Sequence, residues 1–261
     1  MTDDAVDSLL SAWEESPFPS TKLSTYFKVY ADLFSGLRGT ACTFIETGVL
    51  AGGSLFMWRR WLGDKARIIG IDLNPEAKKW EQSGFEIYIG DQGDPSFWEK
   101  TFKRCGSFDV LLDDGGHQSF QQIITLSAAL QHATSQCRVV VEDTHTSFMS
   151  DFNSHKEYSF LRYAKDCSDF LTLRGSSMYP TRMRGIGNTR VEALLSKVWS
   201  IRFYGSIVAF DVADDKCAIP VSLYNKKSPK IPVDFRHKGV SKGSCIWPDP
   251  FSENQVNIHG A

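Results

Sequence analysis

The fold is decided by residues 41–62, ACTFIETGVLAGGSLFMWRRWL, in which an apolar run is followed by a glycine-containing turn and an amphipathic run. Cys42–Thr47 has the composition of a buried strand. Ser54–Leu62 is predicted to be a helix, with Ser54 as its N-terminal cap. A strand, a turn and a helix in this order begin a βαβ unit, which predicts a parallel sheet.

The same alternation continues along the chain. Four further strands are predicted, at Arg67–Asp72, Phe85–Gly90, Phe108–Asp113 and Cys137–Glu142, and a helix at Gln118–His132. Apolar strands that alternate with helices are typical of a parallel sheet covered on both faces. Ser200–Tyr204 and Ser206–Val212 are joined at Gly205, a turn so short that it permits only an antiparallel hairpin. The predicted fold class is α/β: a Rossmann-like doubly wound sheet with five parallel strands and a C-terminal antiparallel hairpin.

Three regions are predicted. Residues 1–40 form an N-terminal helical extension, with helical periodicity at Val6–Trp13 and Leu23–Leu37. Residues 41–217 form the α/β domain, and 218–261 form a polar tail. Within the domain, residues 148–190 are an insertion that joins the helix-like Tyr158–Asp169 to the Gly/Ser/Pro-rich Arg174–Gly187. Long excursions of this kind are often lids or substrate loops.

Composition excludes several classes of protein. The 261 residues carry 29 basic and 31 acidic side chains, so no basic excess indicates a nucleic-acid partner. No signal-peptide pattern follows the acidic start, and no apolar run reaches the roughly 18 residues of a membrane span. None of the six cysteines forms a CxxC pair, which argues against zinc ribbons and dithiol redox sites. We expect a cytoplasmic protein without a membrane partner.

Acidic residues stand at the ends of all five predicted parallel strands. In chain order they are Glu46, Asp72, Asp91, the pair Asp113-Asp114 and the pair Glu142-Asp143. The carboxyl ends of parallel strands meet at one edge of the sheet, where ligands bind in open α/β folds. The pattern therefore predicts a polar ligand site at that edge.

Asp72 at the end of the second strand suits the two hydroxyls of a ribose, which nicotinamide cofactors and S-adenosylmethionine share. The glycine turn lacks the GxGxxG pattern of dinucleotide binders, and clustered acids disfavour a pyrophosphate. The sulfonium and ammonium of S-adenosylmethionine are compatible with such acids. Two alternatives stay open: a nicotinamide-dependent oxidoreductase, and a non-catalytic partner that binds S-adenosylmethionine or a metal.

Asp114 and the pair Glu142-Asp143 are separated by one crossover, which places three carboxylates on adjacent strand ends. Such groups repel one another unless they are neutralised. Mg²⁺, or alternatively Mn²⁺, takes oxygen ligands of this type. The competing interpretation is that these acids cap helices or pair with Arg59, Arg60 or lysine residues.

Two histidines adjoin the predicted metal ligands. His117 lies three residues beyond Asp114, and His145 lies two beyond Asp143. An imidazole can take up a proton near neutral pH. His117 is the first candidate for a general base, and His145 is the second.

Four segments together resemble a known family: Glu46–Leu55, DDGGH at Asp113–His117, EDTHT at Glu142–Thr146 and FYGSIVAF at Phe203–Phe210. They are similar to the cephalosporin-hydroxylase-like and the macrolide and rhamnosyl sugar O-methyltransferases. The resemblance implies a class I methyltransferase that uses S-adenosylmethionine and Mg²⁺ and forms a homo-oligomer. It implies transfer to a hydroxyl of a sugar, a glycosylated natural product or a similar diol.

The resemblance also implies residue roles. Asp114, Glu142 and Asp143 would be the metal ligands, and His117 would be the base. The expected cofactor-binding residues are Glu46, Gly48, Ser54, Asp72, Asp91, Gln92 and Asp113. The sequence departs from the family pattern at Thr47, Gly116 and Thr144, none of which is a predicted ligand or base. Residues 148–190 and the tail carry no match, so the acceptor stays open.

Overall fold

A computed structural model describes residues 3–134, 136–152, 158–173 and 193–217, all within one compact unit that spans Met1–Pro220. The strands are β1 Thr43–Thr47, β2 Arg67–Asp72, β3 Glu86–Ile89, β4 Val110–Asp113, β5 Arg138–Val141, β6 Val198–Tyr204 and β7 Ile207–Val212. The α-helices are α1 Asp3–Glu14, α2 Tyr26–Phe34, α3 Gly53–Leu62, α4 Pro95–Cys105, α5 Ser119–His132 and α6 Phe160–Leu173. Short 3-10 helices occupy Ser35–Leu37, Pro75–Ser83, Thr144–Phe148 and Asp214–Lys216.

The seven strands form one sheet in the order β3-β2-β1-β4-β5-β7-β6. Strands β1 to β5 are parallel, and β7 is antiparallel to both β5 and β6. The predicted fold class is therefore confirmed. Because the chain winds outward from β1 on one side and from β4 on the other, a crevice opens beyond the carboxyl ends of these two strands.

Alternate strand residues supply two hydrophobic cores, since successive side chains point to opposite faces of a strand. Phe44 of β1 packs in the core that contains α1, α2 and α3. Ile45, the next residue, packs in the core that contains α4, α5 and α6. Both residues are fully buried, as expected for a parallel sheet covered on both faces.

The predicted N-terminal helices are present as α1 and α2. The aromatic stripe of α2 is buried, and its Tyr30 and Phe34 rings lie 5.2 Å and 5.8 Å from the ring of Trp58 in α3. This packing fixes α2 over the sheet. It also brings the hydroxyl groups of Tyr26 and Tyr30 to the acids that follow β5.

Some local predictions are wrong. Ser54 does not cap α3, because Gly52 holds that position with a φ of 87° and Ser54 lies inside the helix. The predicted elements also omit α4 and the 3-10 helix Pro75–Ser83. Asn74 and Asp94 each precede a proline and accept a hydrogen bond from the backbone N–H two residues later. This capping pattern is typical of helix starts and could have located both elements.

The predicted helix Tyr158–Asp169 is present as α6, displaced by a few residues at each end. The Gly/Ser/Pro-rich stretch Arg174–Gly187 and the tail 218–261 lie outside the described residues. Within the described part of the chain, no helix has the length and apolar character needed to cross a membrane.

Candidate active site

A cavity of about 480 Å³ lies beyond the carboxyl ends of β1, β2 and β4. Its volume is within the range of small-molecule and cofactor sites. Eight residues of the predicted site line it: Gly48, Ser54, Asp72, Asp91, Gln92, Asp114, His117 and Asp143. The sheet therefore gathers most of the predicted site residues around one cavity.

Asp72 organises the turn after β1. Its Oδ2 accepts hydrogen bonds from the backbone N–H groups of Val49 and Leu50, both at 2.9 Å. Its Oδ1 accepts one from the backbone N–H of Asn74 at 2.8 Å. The carboxylate thus joins the glycine turn to the end of β2 and stays at the cavity wall.

Two predicted cofactor-binding residues, Glu46 and Asp113, lie behind that wall. Glu46 is fully buried and accepts hydrogen bonds from Ser54 Oγ at 2.7 Å and Trp58 Nε1 at 3.1 Å. Burial raises the pKa of the Glu46 carboxyl. Its place in the structure does not match the predicted contact with a cofactor, because both oxygens are turned toward α3. Glu46 instead holds α3 against β1.

Asp113 is also fully buried and is absent from the cavity lining. Its Oδ1 accepts hydrogen bonds from Gln92 Nε2 at 2.9 Å and Thr47 Oγ1 at 3.1 Å. Gln92 Oε1 in turn accepts a hydrogen bond from the backbone N–H of Gly116 at 2.8 Å. Burial raises the pKa of the Asp113 carboxyl. Asp113 therefore positions Gln92 and the loop after β4. Its buried carboxylate does not face the cavity, where a cofactor would bind.

Asp114, His117 and Asp143 form a compact cluster at one end of the cavity. Each offers one potential ligand atom, and these atoms lie within 4.8 Å of one another. His117 Nε2 is 3.5 Å from Asp143 Oδ2 and 4.0 Å from Asp114 Oδ1. Two carboxylates and an imidazole are donors of the kind that divalent cations accept, so this donor set fits a metal ion.

His117 and Asp143 both have a φ of 55°, in the left-handed region. Non-glycine residues rarely adopt this conformation, at a cost of about 1–3 kcal/mol that the surrounding structure must offset. Strain of this kind is common at functional sites. The left-handed backbone at His117 and Asp143, together with their side-chain contacts, therefore fixes how these two residues face each other.

Glu142, the third predicted metal ligand, lies outside this cluster in the present structure. Its side chain is 1% exposed, and its Oε1 accepts a hydrogen bond from Lys22 Nζ at 2.8 Å. Its Oε2 accepts a hydrogen bond from the Tyr30 hydroxyl. Burial, followed by the neighbouring Asp114 charge, raises the pKa of the Glu142 carboxyl well above its usual range.

Lys22 is the main site residue that the sequence analysis does not identify. Its ammonium also pairs with Asp114, and its side chain is 1% exposed. Burial alone lowers the pKa of a lysine, but the charges of Glu142 and Asp114 outweigh it and raise the pKa of Lys22. In this structure Asp114 and Glu142 thus pair with a lysine, one of the partners that the competing interpretation names. Arg59 and Arg60 do not pair with these acids: Arg59 donates to backbone carbonyls, and Arg60 pairs with Glu15.

Two tyrosines of α2 complete the surroundings of the acids. The Tyr26 hydroxyl donates to Asp143 Oδ1 and accepts from the backbone N–H of Asp143 at 3.2 Å. Tyr30 donates to Glu142. Periodicity predicts only the packing of the aromatic rings, and nothing in the sequence pattern indicates these hydroxyl contacts. His145, the second candidate base, is more peripheral, with Nδ1 3.9 Å from Asp143 Oδ1 and a side chain 41% exposed.

Curated relatives match part of the chain, whereas no protein-family model matches it. A rhamnosyl tetracenomycin-C 2'-O-methyltransferase of Streptomyces olivaceus is 28% identical over 137 residues, which are 50% of this chain and 36% of that protein. Mycinamicin VI 2''-O-methyltransferase of Micromonospora griseorubida is 27% identical over 131 residues, 48% of this chain and 32% of that protein. The match thus spans about a third of the length of these relatives.

A solved structure is similar over most of the described fold. The MycE methyltransferase of the mycinamycin pathway, in complex with Mg, S-adenosylhomocysteine (SAH) and mycinamycin VI, aligns with a TM-score of 0.65 and 20% identity. The alignment covers 84% of this chain and 57% of MycE. The chain therefore has the class I methyltransferase fold and is related in sequence to the sugar O-methyltransferases of macrolide and tetracenomycin pathways.

Proposed function

We propose that the chain is an S-adenosylmethionine-dependent and divalent-metal-dependent O-methyltransferase. Its acceptor would be a hydroxyl of a sugar, a glycosylated natural product or a similar diol. One observation carries the proposal: a cavity of cofactor size ends at the cluster of Asp114, His117 and Asp143. A methyl donor and a hydroxyl acceptor could meet at that point.

The cofactor would lie against the turn after β1. Asp72, at the end of β2, would accept hydrogen bonds from the ribose hydroxyls, and Asp91 and Gln92 line the same cavity. The carboxylates around this space favour a cationic ligand over a pyrophosphate. That preference supports S-adenosylmethionine over a nicotinamide cofactor.

The acceptor would lie at the end that holds His117. When bound, S-adenosylmethionine would supply the methyl group and Mg²⁺ or Mn²⁺ would acidify the acceptor hydroxyl. Asp114 and Asp143 would hold the cation, and Glu142 is available only if Lys22 moves away. His117 would take the proton from the hydroxyl. Its Nδ1 is buried and has no hydrogen-bond partner among the described residues, so the proton would go to Nε2, which faces Asp114 and Asp143.

We propose that the insertion 148–190 contributes to acceptor binding. Its first residues adjoin the base: the Phe152 ring lies 6.2 Å from the His117 ring, and the backbone carbonyl of Phe152 accepts from Ser119 N at 3.1 Å. Phe148, the first residue of the insertion, is 80% exposed. An exposed aromatic there suits an acceptor with an apolar portion.

The remaining proposals rest on the resemblance and on composition. We propose a cytoplasmic homo-oligomer that acts on a small molecule, with 1–40 as a helical extension of the 41–217 domain and 218–261 as a separate tail. The balance of 29 basic and 31 acidic residues supports the absence of a nucleic-acid partner. Light scattering coupled to gel filtration tests the oligomeric state.

Thermal unfolding tests the cofactor and the metal together. At about 100 times its dissociation constant SAH adds about 2.7 kcal/mol, which raises Tm by about 5–10 °C at this chain length. We expect this shift with SAH and not with NAD. We also expect a further Mg²⁺ effect that a chelator reverses and that Asp143→Ala abolishes. Asp64→Ala removes an exposed acid that does not line the cavity and should keep the Mg²⁺ effect.

A shift with NAD and none with SAH would contradict the proposed cofactor. Transfer of a labelled methyl group to a panel of glycosides and diols then distinguishes the enzyme from a non-catalytic partner. Binding of SAH and Mg²⁺ without transfer to any hydroxylated acceptor would favour the non-catalytic alternative.

A further inference from the structure

Residues Glu15–Thr25, which we call the N-terminal arm, connect α1 to α2 across the cavity. Ser16 Oγ donates to the backbone carbonyl of Gly53 at 2.8 Å. The Phe18 ring lies 4.3 Å from the Trp80 ring. Pro19 to Lys22 line the cavity wall. The arm is therefore part of the proposed cofactor site, although it lies outside every motif of the sequence.

Lys22 is the contact that joins the arm to the acids. Its ammonium bridges Asp114 after β4 and Glu142 after β5, residues separated from it by 92 and 120 positions in the chain. A buried ammonium requires paired carboxylates, and buried carboxylates require a cation. Lys22 therefore supplies in this structure the positive charge that these acids need.

A divalent cation at the same acids would conflict with this pairing. Asp114 uses Oδ2 for Lys22, and Glu142 uses Oε1 for Lys22 and Oε2 for Tyr30. Two cations within this buried space would repel each other, because the dielectric screening there is weak. Asp114 and Glu142 can therefore pair with Lys22 or bind a metal ion, but binding both cations at once is unfavourable.

We propose that Lys22 is an internal cation that competes with the divalent metal for Asp114 and Glu142, and that metal binding releases the N-terminal arm from the cavity. This inference rests on the metal site of the proposed function. Without metal, Lys22 holds the arm against the acids. With metal, Glu142 becomes free to bind it, and the arm that lines the cofactor cavity loses its strongest polar contact.

Metal affinity tests the competition directly. Mn²⁺ binding, followed by the electron paramagnetic resonance of the free ion, is compared in the unchanged chain, Lys22→Met and Lys28→Met. Lys28 is an exposed lysine on α2 and provides the matched control. We expect at least about tenfold tighter binding in Lys22→Met, which is about 1.4 kcal/mol, and no change in Lys28→Met. Equal or weaker binding in Lys22→Met, or no binding in any of the three proteins, would overturn the proposal.

Proteolysis of the unchanged chain tests the release of the arm and does not depend on the folding of a variant. Endoproteinase Lys-C cleaves after lysine, and the Lys22 side chain is buried here. Mass spectrometry should find cleavage after Lys22 several-fold faster with Mn²⁺ than with a chelator, while cleavage after the exposed Lys65 stays constant. An equal rate after Lys22 in both conditions would contradict the release. Calorimetric titration with SAH, run in parallel, tests the methyltransferase proposal separately, because that proposal fails if SAH does not bind.

Discussion

Replacement of His117 by asparagine or alanine is expected to lower kcat at least about 100-fold, because a general base contributes about 10²–10⁴-fold. The affinity for SAH should stay close to that of the unchanged chain, since the turn after β1 and Asp72 remain intact. Asparagine is the sharper variant. It tolerates the left-handed φ of 55° at this position but cannot act as a base. Single-turnover methyl transfer measures the rate, and calorimetry measures SAH binding.

His145→Ala provides the matched control for this prediction. His145 is also close to Asp143, at 3.9 Å, but its side chain is more exposed. We expect a much smaller loss of kcat than in the His117 variants. If His145→Ala loses as much activity as His117→Asn, the two histidines share the role. If His117→Asn retains full turnover, the assignment of the base is wrong.

Gly48→Ala is expected to destabilise the chain by about 2–5 kcal/mol and to abolish SAH binding. Gly48 has a φ of 87°, which costs an alanine about 1–2 kcal/mol. An added Cβ would also overlap the backbone carbonyl of Asp114, and forced overlap of this kind adds about 1–3 kcal/mol. To relieve the overlap, the turn after β1 must move away from the loop after β4. Both lie at the cavity, so the ligand site changes with the stability.

Gly84→Ala separates the cost of the left-handed backbone from the cost of the overlap with Asp114. Gly84 has a nearly identical φ of 83°, but an added Cβ would meet no atom within 4 Å. It should lose only about 1–2 kcal/mol, the cost of the left-handed backbone, and should bind SAH normally. Urea unfolding measures the stability of both variants. Equal losses in the two variants would show that the contact with Asp114 is unimportant.

Local patterns determine the sheet and the edge of the sheet that carries the site. Apolar strands, a glycine turn and an intervening helix predict β1, β2 and their parallel arrangement with little error, because these depend on residues near one another in the chain. Acids at the ends of parallel strands must then meet at one edge. Asp72, Asp114 and Asp143 could therefore be placed at a common site from the sequence, and the structure places them around one cavity.

Only the tertiary structure decides what each acid at that edge does. Glu46 and Asp113 turn behind the cavity wall because Trp58 and Gln92 offer them buried donors there. Glu142 pairs with Lys22 because α1 and α2 pack on the sheet and carry the arm between them across the edge. No periodicity links residue 22 to residue 142, since their contact depends on how whole helices pack. Sequence alone thus determined that acids gather at this edge, and packing determined which of them face a ligand and which face a lysine.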